Sequence, residues 1–99
     1  MDKPMEKRCI GVVDGGMFLV EGGDTVVLAR VKPPRLGAPG GAVMRMLLQR
    51  KIQDRAPTLR VIARDRNGWD VAEVEIDGVN VNDALVTAME ERGYGRPTS

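Results

Sequence analysis

The side chains of this chain that could do chemistry are carboxylates set in glycine turns, Asp14, Asp24 and Asp65, and a long run of cations. Between residues 30 and 66 stand Arg30, Lys32, Arg35, Arg45, Arg50, Lys51, Arg55, Arg60, Arg64 and Arg66, against Asp54 and Asp65 alone. Residues 67–99 reverse the balance, with two arginines facing seven acids. Aspartates could hold a hard divalent cation, and clustered cations could neutralise phosphates with release of counterions. Histidine is absent. Ser-His-Asp catalysis, Cys-His catalysis and His-ligated zinc are therefore excluded. Cys9 is the single cysteine, so no internal disulfide can form. Gly22-Gly23 and the stretch from Gly37 to Gly41 lack the G-x-x-x-x-G-K-[ST] pattern of a phosphate loop and read as turns.

The elements that must position these groups belong to one small unit, since 99 residues with Lys+Arg 15 and Asp+Glu 14 give a net charge of +1. A chain of this size buries only about 60–65% of its unfolded surface, so its apolar residues are needed for the core. With Phe18, Trp69 and Tyr94 the only aromatics, aliphatic side chains must fill that core. No apolar run follows Met1-Asp2-Lys3, so neither a signal peptide nor a membrane span is expected. With one cysteine, a reducing, cytoplasmic setting is the expectation.

Residues 1–7 hold four charges and a proline and are expected to form a flexible lead-in, with the domain over 8–94 and a flexible tail over 95–99. Cys9–Val13, Met17–Val20 and Thr25–Val31 are β-branched runs separated by Asp14-Gly15-Gly16 and Glu21-Gly22-Gly23-Asp24, which predicts an antiparallel meander. The proline- and glycine-rich stretch 32–41 stops the sheet. Ala42–Gln53 then spaces Met44, Leu47, Leu48 and Ile52 as one helical stripe. Leu59–Ala63 and Val71–Ile76 flank the hairpin turn Asn67-Gly68. Asn80 is placed to cap a second helix, striped by Val81, Leu85, Ala88 and Met89, that Gly93 stops and on which Tyr94 packs back. The fold class is mainly β with helices (α+β), in the order βββ-α-ββ-α. Five short antiparallel strands suit a small closed barrel.

From Asp65-Arg66-Asn67-Gly68-Trp69 through Ile76-Asp77-Gly78 to Val81-Asn82-Asp83-Ala84-Leu85-Val86, the chain resembles the staphylococcal nuclease (thermonuclease) family. In that family a D-x-x-G-R hairpin precedes a strand, a D-G and a V-N-x-A-L-V helix. The resemblance implies a five-stranded OB-fold barrel over residues 8–94. Members that cleave nucleic acid carry D-G-D-T after the first strand and R-L-x-x-x-D-x-P-E on the third strand and the loop after it. Here Asp14-Gly15-Gly16-Met17 and Val27-Leu28-Ala29-Arg30-Val31-Lys32-Pro33-Pro34-Arg35 stand in their place. Asp14 keeps the turn aspartate. The metal aspartates fall on Gly16 and Lys32, the glutamate on Arg35, and the two arginines on Val27 and Ala63. The alternative of placing Gly23-Asp24-Thr25 at D-G-D-T leaves only seven residues between Asp24 and Lys32, too few for two strands and a turn.

Those substitutions imply a chain without catalytic residues, metal or other cofactor. An ammonium about 4 Å from a divalent ion is repelled by several kcal/mol at an effective dielectric near 20, and a guanidinium cannot accept a proton from water. The leading expectation is a non-catalytic binding module, with Arg30, Lys32, Arg35, Arg64 and Arg66 the candidate phosphate-binding residues. Its partner would be nucleic acid, held weakly and salt-sensitively, or another protein, with no membrane involved. For any single arginine a solvated face is the commoner role. Trp69 reads as packed partly into the barrel before it reads as a base-stacking platform. A divergent metal-dependent phosphodiesterase built on Asp14, Asp24 or Asp65 is the alternative, as is a subunit of a larger assembly.

Overall fold

Where β-branched residues alternate between glycine turns the chain forms strands, and where apolar residues recur at three and four it forms helices. The computed structural model describes residues 4–94. Its elements are β1 (Met5–Glu6), β2 (Cys9–Asp14), β3 (Met17–Val20), β4 (Thr25–Leu28), α1 (Gly41–Ile52), β5 (Thr58–Arg64), β6 (Asp70–Ile76), β7 (Val79–Asn80) and α2 (Val81–Arg92). The fold is mixed α+β, one curled, barrel-like sheet with two helices. No helix among the described residues is long and apolar enough to cross a membrane.

The sheet runs in the order β1-β5-β6-β4-β3-β2, with β7 on β6. The meander β2-β3-β4 is antiparallel. β4 and β6, by contrast, pair parallel, from Val26↔Asp70 to Leu28↔Ala72. This corrects the expectation of antiparallel strands only: α1 and β5 carry the chain across, so β6 returns beside β4 in the same direction. The end strands of this order, β1 and β2, are separated only by Lys7 and Arg8. Lys7 N–H donates to Pro57 C=O at 3.3 Å, Cys9 N–H to Arg55 C=O at 2.7 Å, and Asp54 N–H to Cys9 C=O at 3.1 Å. The sheet therefore curls until its two ends are consecutive in the chain. Met5 and Glu6, inside the expected lead-in, pair with Leu59 and Thr58. The rest of that lead-in, residues 1–3, and the expected tail 95–99 lie outside the described residues.

β4 stops at Leu28 rather than running on to Val31. Arg30 adopts φ 68°, a left-handed conformation costly for a side-chain-bearing residue. Backbone bonds on either side pin the turn, Ala29 N–H to Ala72 C=O at 2.9 Å and Val31 N–H to Leu28 C=O at 3.4 Å, and the guanidinium bonds Glu73 bidentately at 2.9 and 2.7 Å and Asp83 at 2.9 Å. The turn swings Val31 into the core, where it is buried.

Phe18, Val20, Val26, Leu28, Leu59 and Val74 meet Met44, Leu48 and Ile52 of α1 and Leu85 of α2 in a single core. Each such side chain contributes about 1.5–3 kcal/mol when removed from water. At the start of α2 the Asn80 side chain accepts from Asp83 N–H at 2.8 Å. At its end Gly93 takes φ 75° and Tyr94 N–H reaches Met89 C=O at 2.8 Å. Tyr94 then lays its ring on Gly40, the residue that opens α1, and so ties the two helices together.

Asn82 is the one fully buried polar side chain among the described residues. Its Oδ1 accepts from Val74 N–H at 2.8 Å, and its Nδ2 donates to Ala29 C=O at 2.9 Å and Ala72 C=O at 3.0 Å. Asn82→Ala should cost about 3 kcal/mol or more in urea unfolding, since each stranded buried group costs roughly 1–3 kcal/mol. A loss under about 1 kcal/mol would show that the amide is dispensable.

Candidate binding surface

The hairpin after β2 brings Gly15 and Gly16 against the loop after β4. Asp14 is engaged in the turn itself, its Oδ1 accepting Gly16 N–H at 2.7 Å. Gly16 C=O accepts Leu28 N–H at 2.8 Å, which presses the turn onto the end of β4. A Cβ on Gly16 would stand 3.0 Å from Pro33 Cδ and 3.3 Å from Val31 C=O, so the prolyl ring fills the space that a side chain there would need. A Cβ on Gly15 would stand 2.6 Å from Met44 Cβ, in collision with α1. Lys32, beside that proline, and Arg35 are exposed and make no ion pair among the described residues.

Val27 and Ala63 share one outward row. Met17 pairs with Val27, Val27 with Val71, and Val71 with Ala63, and paired residues lie on the same face. Their neighbours Phe18, Val26, Leu28 and Ala72 are buried, so this row faces away from the core. Val13 and Ile62, each at a register shift, stand at its two ends 38% and 50% exposed. The surface is an aliphatic stripe.

The candidate phosphate-binding residues do not gather in one groove. Arg30 is occupied by Glu73 and Asp83. Lys32 and Arg35 follow the C-terminal end of β4, whereas Arg64 and Arg66 lie just before the start of β6. Because β4 and β6 are parallel, those are opposite ends of the sheet. Arg64 Nε lies 3.3 Å from Asp70 on a side chain 74% exposed, and Arg66 is exposed without an ion pair among the described residues. Other cations of the basic run serve the fold: Arg45 Nε donates to Val12 C=O at 3.2 Å, and Arg55 pairs with Asp77 at 3.4 Å.

Beside Arg64, a polar cleft of about 210 Å³ is lined by Asp24, Thr25, Asp70 and Trp69. Trp69 is half-buried at this cleft and stays outside the hydrophobic core, a correction to the expected packing into the barrel. Trp69 lies at the hairpin tip just before β6 begins at Asp70, where Asp65 Oδ1 accepts both Asn67 N–H at 2.9 Å and Trp69 N–H at 3.0 Å.

Asp14, Asp24 and Asp65 belong to three separate turns. Asp24 pairs with Lys7 at 3.2 Å. No group of three carboxylate or thiol side chains among the described residues could surround a metal ion. With Pro33 against Gly16 and an ammonium at Lys32, the residues present do not fit the hard cation that the family resemblance implies. Cys9 is buried with Sγ 3.6 Å from Gly11 C=O, and burial pushes its thiol above the ordinary value, away from nucleophilic use.

Glu73, which the sequence does not single out as a site residue, is a hub of the surface ions, meeting both Arg30 and Asn80. Hydrogen bonds from Arg30 hold its carboxyl below the ordinary range, against the opposing effect of burial and with help from Asn80 Nδ2 at 3.1 Å. The same contacts raise Arg30. A carboxyl depressed in the folded state contributes stability that is present above its unfolded value and is lost as pH falls through the folded one. The native chain should therefore melt higher than Glu73→Gln near neutral pH, and the gap should begin to close only as pH falls below the ordinary carboxylate value, closing fully below the depressed folded one. Gly15→Ala should destabilise by about 1–3 kcal/mol through overpacking against α1, read from urea midpoints. No protein-family model matches this chain, and no curated protein matches it either.

Proposed function

We propose that this chain is a non-catalytic staphylococcal nuclease-like OB-fold domain that works in the cytoplasm as a binding module, with another protein as the partner its surface favours. The observation that carries the reading is the prolyl ring of Pro33 against Gly16, with Lys32 beside it. Where the family resemblance implies metal oxygens, this chain offers a carbon ring and an ammonium. The longer strands in the order β2-β3-β4-β6-β5 support a small Greek-key barrel. The aliphatic stripe through Val27, Val71 and Ala63 supports a protein partner, because apolar side chains gain by burial against another surface.

Lys32 and Arg35 support a second reading, a weak contact with nucleic acid phosphates. Two cations neutralising two phosphates of a single strand give a log–log salt slope of about −1.4. Titration of short oligothymidylate at stepped salt should return a slope near that value and lose it in Lys32→Glu/Arg35→Glu. No binding at low salt, or a flat slope, removes the phosphate reading. Calcium-dependent cleavage of single-stranded DNA by the pure chain, abolished by Asp14→Ala, would overturn the non-catalytic assignment altogether.

A further inference from the structure

The inner edge of β5 is fully used, since β6 pairs with it from Thr58↔Glu75 to Arg64↔Asp70. Its outer edge is not. β1 covers only Thr58 and Leu59, and the register sets Pro4 opposite Arg60. From Arg60 to Arg64 no backbone bond reaches the outer edge among the described residues. Arg60, Ile62, Ala63 and Arg64 are exposed. Such a run of free N–H and C=O groups is a template for an added strand.

The charges along this edge select what can be added. Glu73 stands opposite Arg60 on the inner side, but its oxygens are taken by Arg30 at 2.7 and 2.9 Å and by Asn80 at 3.1 Å. Arg60 is left without an ion pair among the described residues. Arg64 has one contact, of 3.3 Å, on a side chain 74% exposed. A second copy pairing antiparallel about Ile62 would set Arg60 of one copy against Arg64 of the other, and directly opposed like charges are unfavourable. The strand that β5 accepts on its inner edge is Asp-Val-Ala-Glu-Val-Glu-Ile, which puts Glu73 opposite Arg60 and Asp70 opposite Arg64. We propose that the open outer edge of β5, from Arg60 to Arg64, takes up an extended acidic segment of a partner protein as an added β-strand. This rests on the binding-module reading but uses a different surface from Lys32 and Arg35.

The probe is a blocked heptapeptide, acetyl-Asp-Val-Ala-Glu-Val-Glu-Ile-amide, titrated into the full isotope-labelled chain and followed by backbone amide NMR. Saturable shifts and slowed hydrogen exchange should concentrate at residues 60–64. Arg60→Glu/Arg64→Glu, checked for an unchanged amide spectrum elsewhere, should weaken binding about tenfold. The same peptide N-methylated at alternate residues keeps its side chains, loses its strand bonds and should not bind the unaltered chain. Equal binding of the methylated peptide, shifts centred elsewhere, competition by oligothymidylate at residues 60–64, dimerisation through β5, or no shifts at millimolar peptide would each overturn the proposal. If the peptide fails while oligothymidylate still binds at Lys32 and Arg35, the edge inference falls and the module reading stands. Calcium-dependent cleavage would overturn the module reading and with it this inference, whatever the peptide does.

Discussion

The side-chain amide of Asn82 is the contact on which the rest of the arrangement depends. β4 and β6 run side by side only as far as Leu28 and Ala72. Beyond that point the chain leaving β4 turns away, and backbone groups of both strands would otherwise face the core unpaired. Asn82 meets Ala29 and Ala72 on one side and Val74 on the other, with no buried side-chain polar atom left unsatisfied among the described residues. Ala72 C=O also accepts Ala29 N–H at 2.9 Å, so the two groups that depend on Asn82 are Val74 N–H and Ala29 C=O, and burying both without partners would cost several kcal/mol, at roughly 1–3 kcal/mol each. Stranding them would remove a large part of the margin of a domain stable by about 5–15 kcal/mol. The position of α2 over the sheet is thus fixed by polar satisfaction as well as by Leu85 and Met89.

Directly outside that amide lies the ion cluster of Arg30, Glu73 and Asp83. Exposed pairs of this kind are worth only about 0.2–1 kcal/mol each, so the cluster does not hold the fold as Asn82 does. The turn at Arg30, φ 68°, both places the guanidinium in this cluster and bends the chain just after β4, burying Val31 and bringing Pro33 onto Gly15 and Gly16. Filling the turn with a prolyl ring and removing Arg30 from any phosphate are therefore one event.

What could be read from the sequence was whatever depends on neighbours in the chain. Asn80 and Gly93 bound α2 because capping and left-handed stops are local chemistry, and the glycine turns mark the meander for the same reason. The parallel pairing of β4 with β6 was not legible, because alternation sets which face a residue takes and not which distant strand lies beside it. Val31 extended an apolar run and so read as strand, although its burial comes from the turn at Arg30, which the Val31 N–H to Leu28 C=O bond closes. Asn82 shares the spacing of Leu85 and Met89, which marks it as core-facing. The groups it satisfies emerge only once the strands are paired. The contact of the Pro33 ring with Gly16 joins the turn before β3 to the loop after β4, and is a tertiary fact.

The lopsided charge of the sequence has a similar explanation. Arg30, Arg55 and Arg64 of the basic run pair with Glu73, Asp83, Asp77 and Asp70 of the acidic half, so each link joins one half of the chain to the other. A polarity that looks like the footprint of a polyanion is thus partly consumed in folding, where it favours this pairing of β5, β6 and α2 over arrangements that set like charges together. Under the proposed module reading, recognition falls to the remaining cations. Lys32 and Arg35 stand in one loop, and Arg60 and Arg64 flank a strand edge whose backbone has no second partner among the described residues. An arginine pair next to open backbone differs in kind from an arginine pair in a loop. It constrains the conformation of its ligand as well as its charge, and an extended acidic chain satisfies both conditions together.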